Sequence, residues 1–188
     1  LALLVPRPPN GPDWAFEVKW DGYRLAIHVE PNRLRVLTRG GHDWTQRFNH
    51  IAPAAQNLGH TSMILDREAV VLDDSGRSDF GALQRALGGR GGQRFAAESL
   101  FYVFDLLYLD GRDLTCLPLR DRRAMLANLL SARPSPIIRF SATMEADGEE
   151  FFKIACAHDL EGIIAKRLDI PYRPGRHEEW QKIKCIQS

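Results

Sequence analysis

Short strand-like segments separated by turn formers constrain the fold of this chain more than any other feature. Residues 24–29 and 34–38 are joined by Pro31 and Asn32, which predicts an antiparallel hairpin. Further strands are predicted at residues 16–18, 63–72, 100–108, 137–140, 162–166 and 180–185, and helices at residues 45–57, 80–87, 119–130 and 149–158. Because runs of neighbouring strands alternate with a few helices, the pattern predicts an α+β fold with largely antiparallel sheets.

Length and composition exclude several other classes of protein. A chain of 188 residues forms one large domain or two small ones, and 44% hydrophobic with 26% charged residues is typical of a globular protein. No apolar run approaches the ~20 residues that span a bilayer, so we expect no membrane partner. The first residues, Leu1 to Pro9, lack an initiator Met and a charged region before the apolar stretch. They predict a cut inside a longer polypeptide rather than a signal peptide.

The cysteines and the basic residues indicate the cellular setting. Cys116, Cys156 and Cys185 are widely spaced and odd in number, which predicts neither a zinc site nor a disulfide framework and favours a reducing, cytoplasmic compartment. The basic residues are 20 Arg and only 5 Lys. Arginine suits phosphate contacts, and a lysine retained in such a chain is a candidate for special chemistry. A high genomic GC content is the alternative explanation of this bias.

Two segments are predicted to be without a chemical role. The run Gly88 to Gly92 matches neither the P-loop nor the dinucleotide-binding glycine pattern and predicts a mobile loop. In the predicted helix 119–130, leucines form the inward face. Its three arginines, Arg120, Arg122 and Arg123, are expected on the face toward solvent.

Lys19 is the first candidate for catalysis. It follows a predicted strand and precedes Asp21-Gly22, a pair that favours a tight turn, so its amine lies at a sheet edge beside a carboxylate. An amine in this place could act as a nucleophile once burial or nearby cations help it to release a proton. A surface lysine paired with Asp21 is the alternative interpretation.

Other charged residues strengthen the first interpretation. The period of two in the predicted strand 63–72 places Asp66 and Glu68 on one otherwise apolar face, where acids are costly without a metal or a ligand. Lys182 and Lys184 share a face of the last predicted strand, and Glu161 precedes the strand before it. Lysines on strands with acids nearby are typical of a pocket for a polyphosphate and its metal.

At this point the chain resembles the covalent nucleotidyltransferases, the superfamily of ATP-dependent DNA ligases, RNA ligases and capping enzymes. Six segments match the motifs of that superfamily in order, namely Lys19-Trp20-Asp21-Gly22-Tyr23-Arg24 (motif I), Thr38-Arg39-Gly40 (Ia), Leu65-Asp66-Arg67-Glu68 (III), Val103-Phe104-Asp105 (IIIa), Glu161-Gly162-Ile163-Ile164-Ala165-Lys166 (IV) and Trp180-Gln181-Lys182-Ile183-Lys184 (V). Residues 43–48 and 171–176 further resemble the ligase domain of bacterial DNA ligase D enzymes, which act in end joining.

The resemblance implies an ATP-grasp-like nucleotidyltransferase domain in which Lys19 attacks the α-phosphate of ATP and becomes a lysyl-AMP. The roles that it implies for the other residues are adenine contact for Glu17, ribose contact for Arg24 and Glu68, phosphate contact for Arg39, base stacking for Phe104, binding of Mg²⁺ or Mn²⁺ for Glu161 together with Glu68, and α-phosphate contact for Lys182 and Lys184. Phe104 is equally well explained as an ordinary core residue.

The resemblance also implies partners and leaves alternatives open. Its partners are nicked or broken double-stranded DNA, a C-terminal OB-fold domain that carries motif VI beyond residue 188, and other repair domains of a bacterial, nucleoid-associated protein. Arg67 departs from motif III, which usually has Gly there, so the backbone is less free or Arg67 adds a contact. The alternatives are an RNA ligase, a GTP-using capping enzyme, an NAD-dependent ligase and a catalytically silent DNA-binding module.

Overall fold

The computed structural model describes residues 1–88, 97–145 and 147–185, which form two compact units. The first unit contains Leu1–Trp20, Thr115–Asp121 and the described residues from Ser141 onward. The second contains the described residues of Asp21–Leu114 together with Arg122–Phe140. The predicted mobile loop at Gly88 to Gly92 lies outside the described residues from position 89 onward.

The strands and helices of the described residues follow the predicted order. The strands are β1 (Ala2–Leu4), β2 (Trp14–Val18), β3 (Tyr23–Glu30), β4 (Arg33–Thr38), β5 (Met63–Val70), β6 (Leu100–Leu109), β7 (Arg112–Asp113), β8 (Ile138–Phe140), β9 (Gly162–Arg167) and β10 (His177–Lys184). The helices are α1 (Ile51–Gln56), α2 (Phe80–Ala86), α3 (Leu119–Ala132) and α4 (Gly148–Ala157), with a 3-10 helix at Thr45–Phe48. None of these helices is long and apolar enough to cross a bilayer.

The first unit is built on a four-stranded sheet in the order β1-β10-β9-β2. The ladders of β9 with β2 and with β10 are antiparallel, and β1 lies parallel to β10. One face carries a buried cluster of Phe16, Ile163 and Ile183 that packs against Ala155 of α4. Because side chains alternate along a strand, the neighbouring residues Glu17, Ile164 and Lys182 point to the opposite face.

The second unit is built on a six-stranded sheet in which β4-β3-β5-β6-β7 are neighbours and β8 joins β6. All of its ladders are antiparallel except that of β6 with β8. The inward residues Ile27, Val36, Leu65 and Val103 are fully buried, as is Phe48 of the 3-10 helix. The prediction of an α+β fold with largely antiparallel sheets is therefore confirmed.

The predicted helix at residues 45–57 is wrong as a single element. The structure has a 3-10 helix at Thr45–Phe48 and a separate helix α1 from Ile51. A continuous α-helix would require the residue at position 53 to donate its N–H to the carbonyl of Asn49, and proline has no N–H to donate. Proline is tolerated in the first turn of α1, where the N–H groups have no partner within the helix.

The prediction for the arginines of α3 is wrong for two of the three. Arg122 is 1% exposed and donates to both carboxylate oxygens of Asp105, at 2.8 and 2.9 Å. Arg123 is also buried and donates to the carbonyl oxygen of Phe104 at 2.8 Å. A buried carboxylate is costly without a partner, and Arg122 supplies the partner of the buried carboxylate on β6. Only Arg120 is exposed.

The prediction for the cysteines is also wrong for two of the three. Cys156 of α4 and Cys185, the residue after β10, form a disulfide with their Cα atoms 5.4 Å apart. Cys116 is free and exposed. Sequence spacing could not reveal the pair, because α4 packs beside the sheet and brings residues that are 29 positions apart into contact.

Candidate active site

The face of the first sheet opposite α4 collects most of the charged residues that the motifs predict. The N–H of Lys19 donates to the carbonyl of Gly162 at 2.9 Å and so extends the ladder of β2 with β9 by one residue. Lys19 therefore shares its face with Glu17, two residues earlier. In the register of β9 with β10, Lys182 lies opposite Ile164 and Lys184 opposite Gly162, on this same face.

Lys19 forms an ion pair with Glu161, the residue that precedes β9. The Lys19 Nζ atom contacts Glu161 Oε2, and Lys184 Nζ lies 3.1 Å from the other oxygen, Oε1. Lys19 and Glu161 are both partly buried, whereas the Lys184 side chain is half exposed. The carboxylate beside the amine is thus that of Glu161, which sequence reasoning had placed nearby only through the motif resemblance.

The two lysines affect the ionisation of Glu161. Partial burial alone would raise the pKa of its carboxyl, but the hydrogen bonds and positive charges of Lys19 and Lys184 outweigh burial and lower the pKa. Glu161 is therefore ionised at neutral pH and holds two ammonium groups close together.

Gly162 allows Glu161 to reach this position. Its φ is +151°, a value that residues with side chains rarely adopt. A Cβ at this position would lie 2.1 Å from the carbonyl oxygen of Ile183. The glycine therefore permits β9 and β10 to approach each other directly beside Lys184, which explains physically why a glycine follows the glutamate of motif IV.

Glu17 and Lys166 form a second pair on this face, which sequence reasoning missed. The Lys166 Nζ atom contacts Glu17 Oε1, and both side chains are almost completely buried. In the register, Lys166 lies opposite Ala15, so it is the diagonal neighbour of Glu17. The period of two along β9 indicates the face on which Lys166 lies, but predicting its pair with Glu17 also requires the register of β9 with β2.

The remaining predicted residues lie in the second unit. The Arg24 guanidinium donates to both oxygens of Asp66, at 3.1 and 2.6 Å, and its carbon lies 5.4 Å from the centre of the Phe104 ring. Phe104 is 6% exposed. The ladder of β5 with β6 changes register here, since Asp66 is opposite Asp105 and Arg67 is opposite Val103, so Phe104 lies between two paired residues of β6. The structure therefore brings Arg24, Asp66 and Phe104 together, and Asp66 is a member of this group to which no role had been assigned.

Glu68 and Arg39 are the other two predicted site residues of the second unit. Glu68 is directly opposite Arg24 in the ladder of β3 with β5 and is partly buried. Arg39 is exposed on the turn after β4, where Gly41 has a φ of +82° and donates its N–H to Thr38. Arg39 is thus accessible to a phosphate from solvent.

Arg67, the departure from motif III, makes a buried contact with an aromatic ring. Its side chain enters the core, where its guanidinium carbon lies 3.8 Å from the centre of the Phe101 ring. Burial lowers the pKa of Arg67 well below its usual value, although the charges of Asp66 and Glu68 oppose this effect. Its three nitrogen atoms have no hydrogen-bond partner among the described residues.

A divalent metal is compatible with the first unit only if a ligand supplies most of the coordination. No group of three or more His, Cys, Asp or Glu side chains that could hold a metal occurs among the described residues. Glu161 offers one carboxylate, and Mg²⁺ is commonly bound through one or two carboxylates together with the phosphates of a nucleotide. The residues therefore fit a metal that arrives with a polyphosphate.

The chemistry of this face favours an anionic ligand. Four lysines, Lys19, Lys166, Lys182 and Lys184, stand against two glutamates, Glu17 and Glu161. The side chain of Lys182 has no hydrogen-bond or ion-pair partner among the described residues. An excess of ammonium groups beside a partly buried amine suits the binding and transfer of a phosphoryl group.

Comparison with known proteins agrees with this chemistry. The family model of the ATP dependent DNA ligase domain matches residues 8–184, nearly the whole chain. The chain belongs to the ATP-dependent DNA ligase domain family. This ligase domain is 48% identical over 187 residues to the multifunctional non-homologous end joining protein LigD of Pseudomonas aeruginosa, covering 98% of this chain and 21% of that relative. It is 39% identical over 172 residues to the LigD protein of Mycobacterium tuberculosis, covering 91% of this chain and 21% of the relative.

Solved structures show the same fold. The ligase domain of M. tuberculosis LigD superposes with a TM-score of 0.82 at 36% identity, over 97% of this chain and 60% of that chain. A mycobacterial DNA ligase D in complex with ATP and MES gives a TM-score of 0.76 at 37% identity, over 98% and 60%. The ligase domain thus spans about a fifth of the length of its curated LigD relatives, and the α+β nucleotidyltransferase fold is confirmed.

Proposed function

We propose that this ligase domain catalyses the adenylation step of a bacterial ligase D type enzyme that joins DNA ends. The observation that carries the proposal is the cluster of Lys19, Glu161 and Lys184 on one sheet face with Lys182. It provides a partly buried amine with additional positive charge beside it. The matched LigD relatives are named for non-homologous end joining, and one solved relative is a complex with ATP.

In the proposed reaction, Lys19 is the nucleophile. Its Nζ atom, after losing a proton, forms a bond to the α-phosphorus of ATP while the bond from that phosphorus to the β-phosphate oxygen breaks. The products are lysyl-AMP, a phosphoramidate, and pyrophosphate. Before ATP binds, the Lys19 ammonium group is engaged in the ion pair with Glu161. Binding of the triphosphate must therefore separate this pair before Lys19 can attack.

Two lysines would stabilise the charge that develops on the transferred phosphate. Lys182 and Lys184 share the face of Lys19, and their positive charges would offset the negative charge that develops on the phosphate oxygens. Bound Mg²⁺ or Mn²⁺ would add positive charge at the phosphates, and Glu161 would hold it. Glu17 would contact the edge of the adenine base. In the second unit, Arg24 and Glu68 would contact the ribose, Phe104 would stack on the base, and Arg39 would contact phosphate.

The later steps would use DNA. AMP would pass from Lys19 to the 5′-phosphate of a nicked or broken duplex, which is then joined. We infer that residues 1–188 are the adenylation domain of a longer bacterial, nucleoid-associated protein in the cytoplasm, with an OB-fold domain and other repair domains in the same chain. The relatives, of which this domain covers about a fifth, support that inference.

The experiment is intact-mass measurement after incubation with ATP and Mg²⁺. We expect wild-type protein to gain one AMP, and Lys19→Ala to gain none. Lys153→Ala, which alters an exposed lysine of α4, is the matched control and should label like wild type. Incubation with GTP tests the capping-type alternative, and salt-sensitive DNA binding without any covalent nucleotide would support the silent DNA-binding module instead.

A further inference from the structure

Lys166 is the lysine of this sheet face that the proposed reaction does not use. Its side chain is 2% exposed, and its Nζ atom contacts Glu17 Oε1 and lies 4.1 Å from the centre of the Trp180 ring. A buried ammonium group is costly unless an anion and an aromatic face compensate for the lost water. Lys166 has both, so its position is strongly determined by its surroundings.

The carboxylate of Glu17 is held from both sides. Lys166 contacts Oε1, and the Ser141 hydroxyl donates to Oε2 at 3.3 Å. The indole N–H of Trp20 donates to the Ser141 oxygen at 3.1 Å, which directs the single proton of that hydroxyl toward Glu17. The network therefore fixes the orientation of the Glu17 carboxylate.

We propose that Lys166 is a positioning residue that holds Glu17 as an ionised hydrogen-bond acceptor, and that this selects a nucleotide base with an amino group. The inference rests on the proposed function, in which Glu17 contacts the base edge. An ionised carboxylate has no proton to donate. It can accept a hydrogen bond from the N6 amino group of adenine, whereas guanine and hypoxanthine present an oxygen at the equivalent position.

Lys166 can act on the base only through Glu17. Two acceptors facing each other without a proton between them repel, and a site with an unsatisfied buried polar group rejects such a ligand. If Lys166 is lost, the Glu17 carboxylate is no longer held in one orientation, and its acceptor oxygens are no longer directed at the amino group of the base. The discrimination between amino and oxo bases should then decrease, even though no residue that contacts the phosphates has changed.

The test compares binding of ATP and inosine triphosphate, which differ in the amino or oxo group of the base. Equilibrium dialysis without divalent metal measures binding and keeps the result independent of AMP transfer. We expect wild type to bind ATP more tightly than inosine triphosphate. In Lys166→Met the ratio of the two affinities should fall about tenfold, which is the effect of one hydrogen bond to a charged group. Lys166→Arg, which retains the charge, should restore most of the preference, and Lys153→Met should leave it unchanged.

A double variant makes the test independent of folding defects. Lys166→Met alone leaves a buried carboxylate without its cation and is expected to lower stability, whereas Glu17→Gln with Lys166→Met removes both charges. The double variant should fold and bind both nucleotides with similar affinity. Retention of the wild-type ratio of ATP to inosine triphosphate affinity in either variant would overturn the inference. Wild-type protein that binds neither nucleotide would instead contradict the proposed function.

Discussion

Two fully buried arginines of the second unit differ in their partners. Arg122 donates to both oxygens of Asp105, which is itself fully buried. Arg67 lies against the Phe101 ring, and none of its nitrogen atoms has a hydrogen-bond partner among the described residues. Contact between a cation and an aromatic ring stabilises by about 1–2 kcal/mol in a buried site, which is less than the cost of burying a charge without a counter-ion.

We therefore expect opposite effects from two matched substitutions. Arg67→Met should raise the free energy of unfolding by about 1 kcal/mol, because a flexible apolar side chain fills the space without a desolvated charge. Arg122→Met should lower it by about 3 kcal/mol or more, because Asp105 would remain buried without its cation. Urea unfolding of both variants measures these changes. A loss in Arg67→Met as large as that in Arg122→Met would show that Arg67 is well compensated.

The two glutamates assigned to the reaction should respond differently to metal. Glu161→Ala removes the carboxylate that would hold the metal, so the variant should need more Mg²⁺ for self-adenylation and should be partly rescued by Mn²⁺. Glu68→Ala removes a proposed ribose contact, which extra metal cannot replace. The measurement is the rate of AMP incorporation as a function of metal concentration for each variant. Identical metal responses would argue against the separate roles.

At the scale of elements, the disulfide joins α4 to the end of β10. Cys185 is adjacent to Lys184, and its N–H donates to the carbonyl of Glu161 at 3.0 Å. The cross-link therefore ends beside the carboxylate that contacts Lys19. A cross-link that closes a segment of this length restricts the conformations of the unfolded chain, which raises the free energy of unfolding by about 3 kcal/mol.

Loss of this disulfide should lower thermal stability. We expect Cys156→Ala, or reduction of the wild type, to lower the midpoint of thermal unfolding by several degrees. Cys116→Ala, which alters the exposed free cysteine, is the matched control and should have little effect. Calorimetry under oxidising and reducing conditions gives the comparison. Equal midpoints for reduced and oxidised wild type would mean that the cross-link contributes nothing to stability.

Elements with strong alternation were predictable from sequence, and elements defined by their neighbours were not. The strand β3 alternates buried and less buried residues along most of its length, so its pattern alone was enough to find it. The prediction missed β1, which has three residues and gains its definition by pairing with β10. It also began β10 too late, because the charged residues that open this strand at His177 gave no apolar signal.

The candidate site also contains residues that could be predicted from sequence and contacts that could not. Lys19, Glu161, Lys182 and Lys184 could be selected because their motifs are local in sequence. The ion pair of Lys166 with Glu17 could not, because it depends on the register of two strands that are distant in sequence. The bidentate contact of Arg24 with Asp66 similarly requires the ladder of β3 with β5.

At the scale of the whole molecule, net charge limits what these residues can do with DNA. The formal net charge is only +1, and binding to a duplex without sequence preference depends on neutralising its phosphates. The lysines that would contact the α-phosphate of ATP lie on one sheet face instead. Residues 1–188 therefore have the chemical groups for the first step but little general attraction for a duplex.

We expect the 188-residue chain to label itself with AMP slowly and to seal a nicked duplex poorly. Transfer of AMP needs the aligned triphosphate, whereas sealing needs a firm hold on both sides of the nick. Supplying a nicked duplex that already carries AMP on its 5′-phosphate isolates the sealing step, and added salt should weaken it further. Efficient sealing by this chain alone would contradict the assignment of residues 1–188 as an adenylation domain that depends on other domains.

Peptide mapping of the ATP-treated protein tests directly whether Lys19 is the nucleophile, because it locates the covalent nucleotide. We expect a single AMP on the peptide that contains Lys19. The linkage should be lost in mild acid, since protonation of a phosphoramidate nitrogen makes it a good leaving group, whereas a phosphoester on Ser or Tyr would survive. The assignment of Lys19 as the nucleophile would be contradicted by AMP on another residue, by an acid-stable linkage, or by normal labelling of Lys19→Ala.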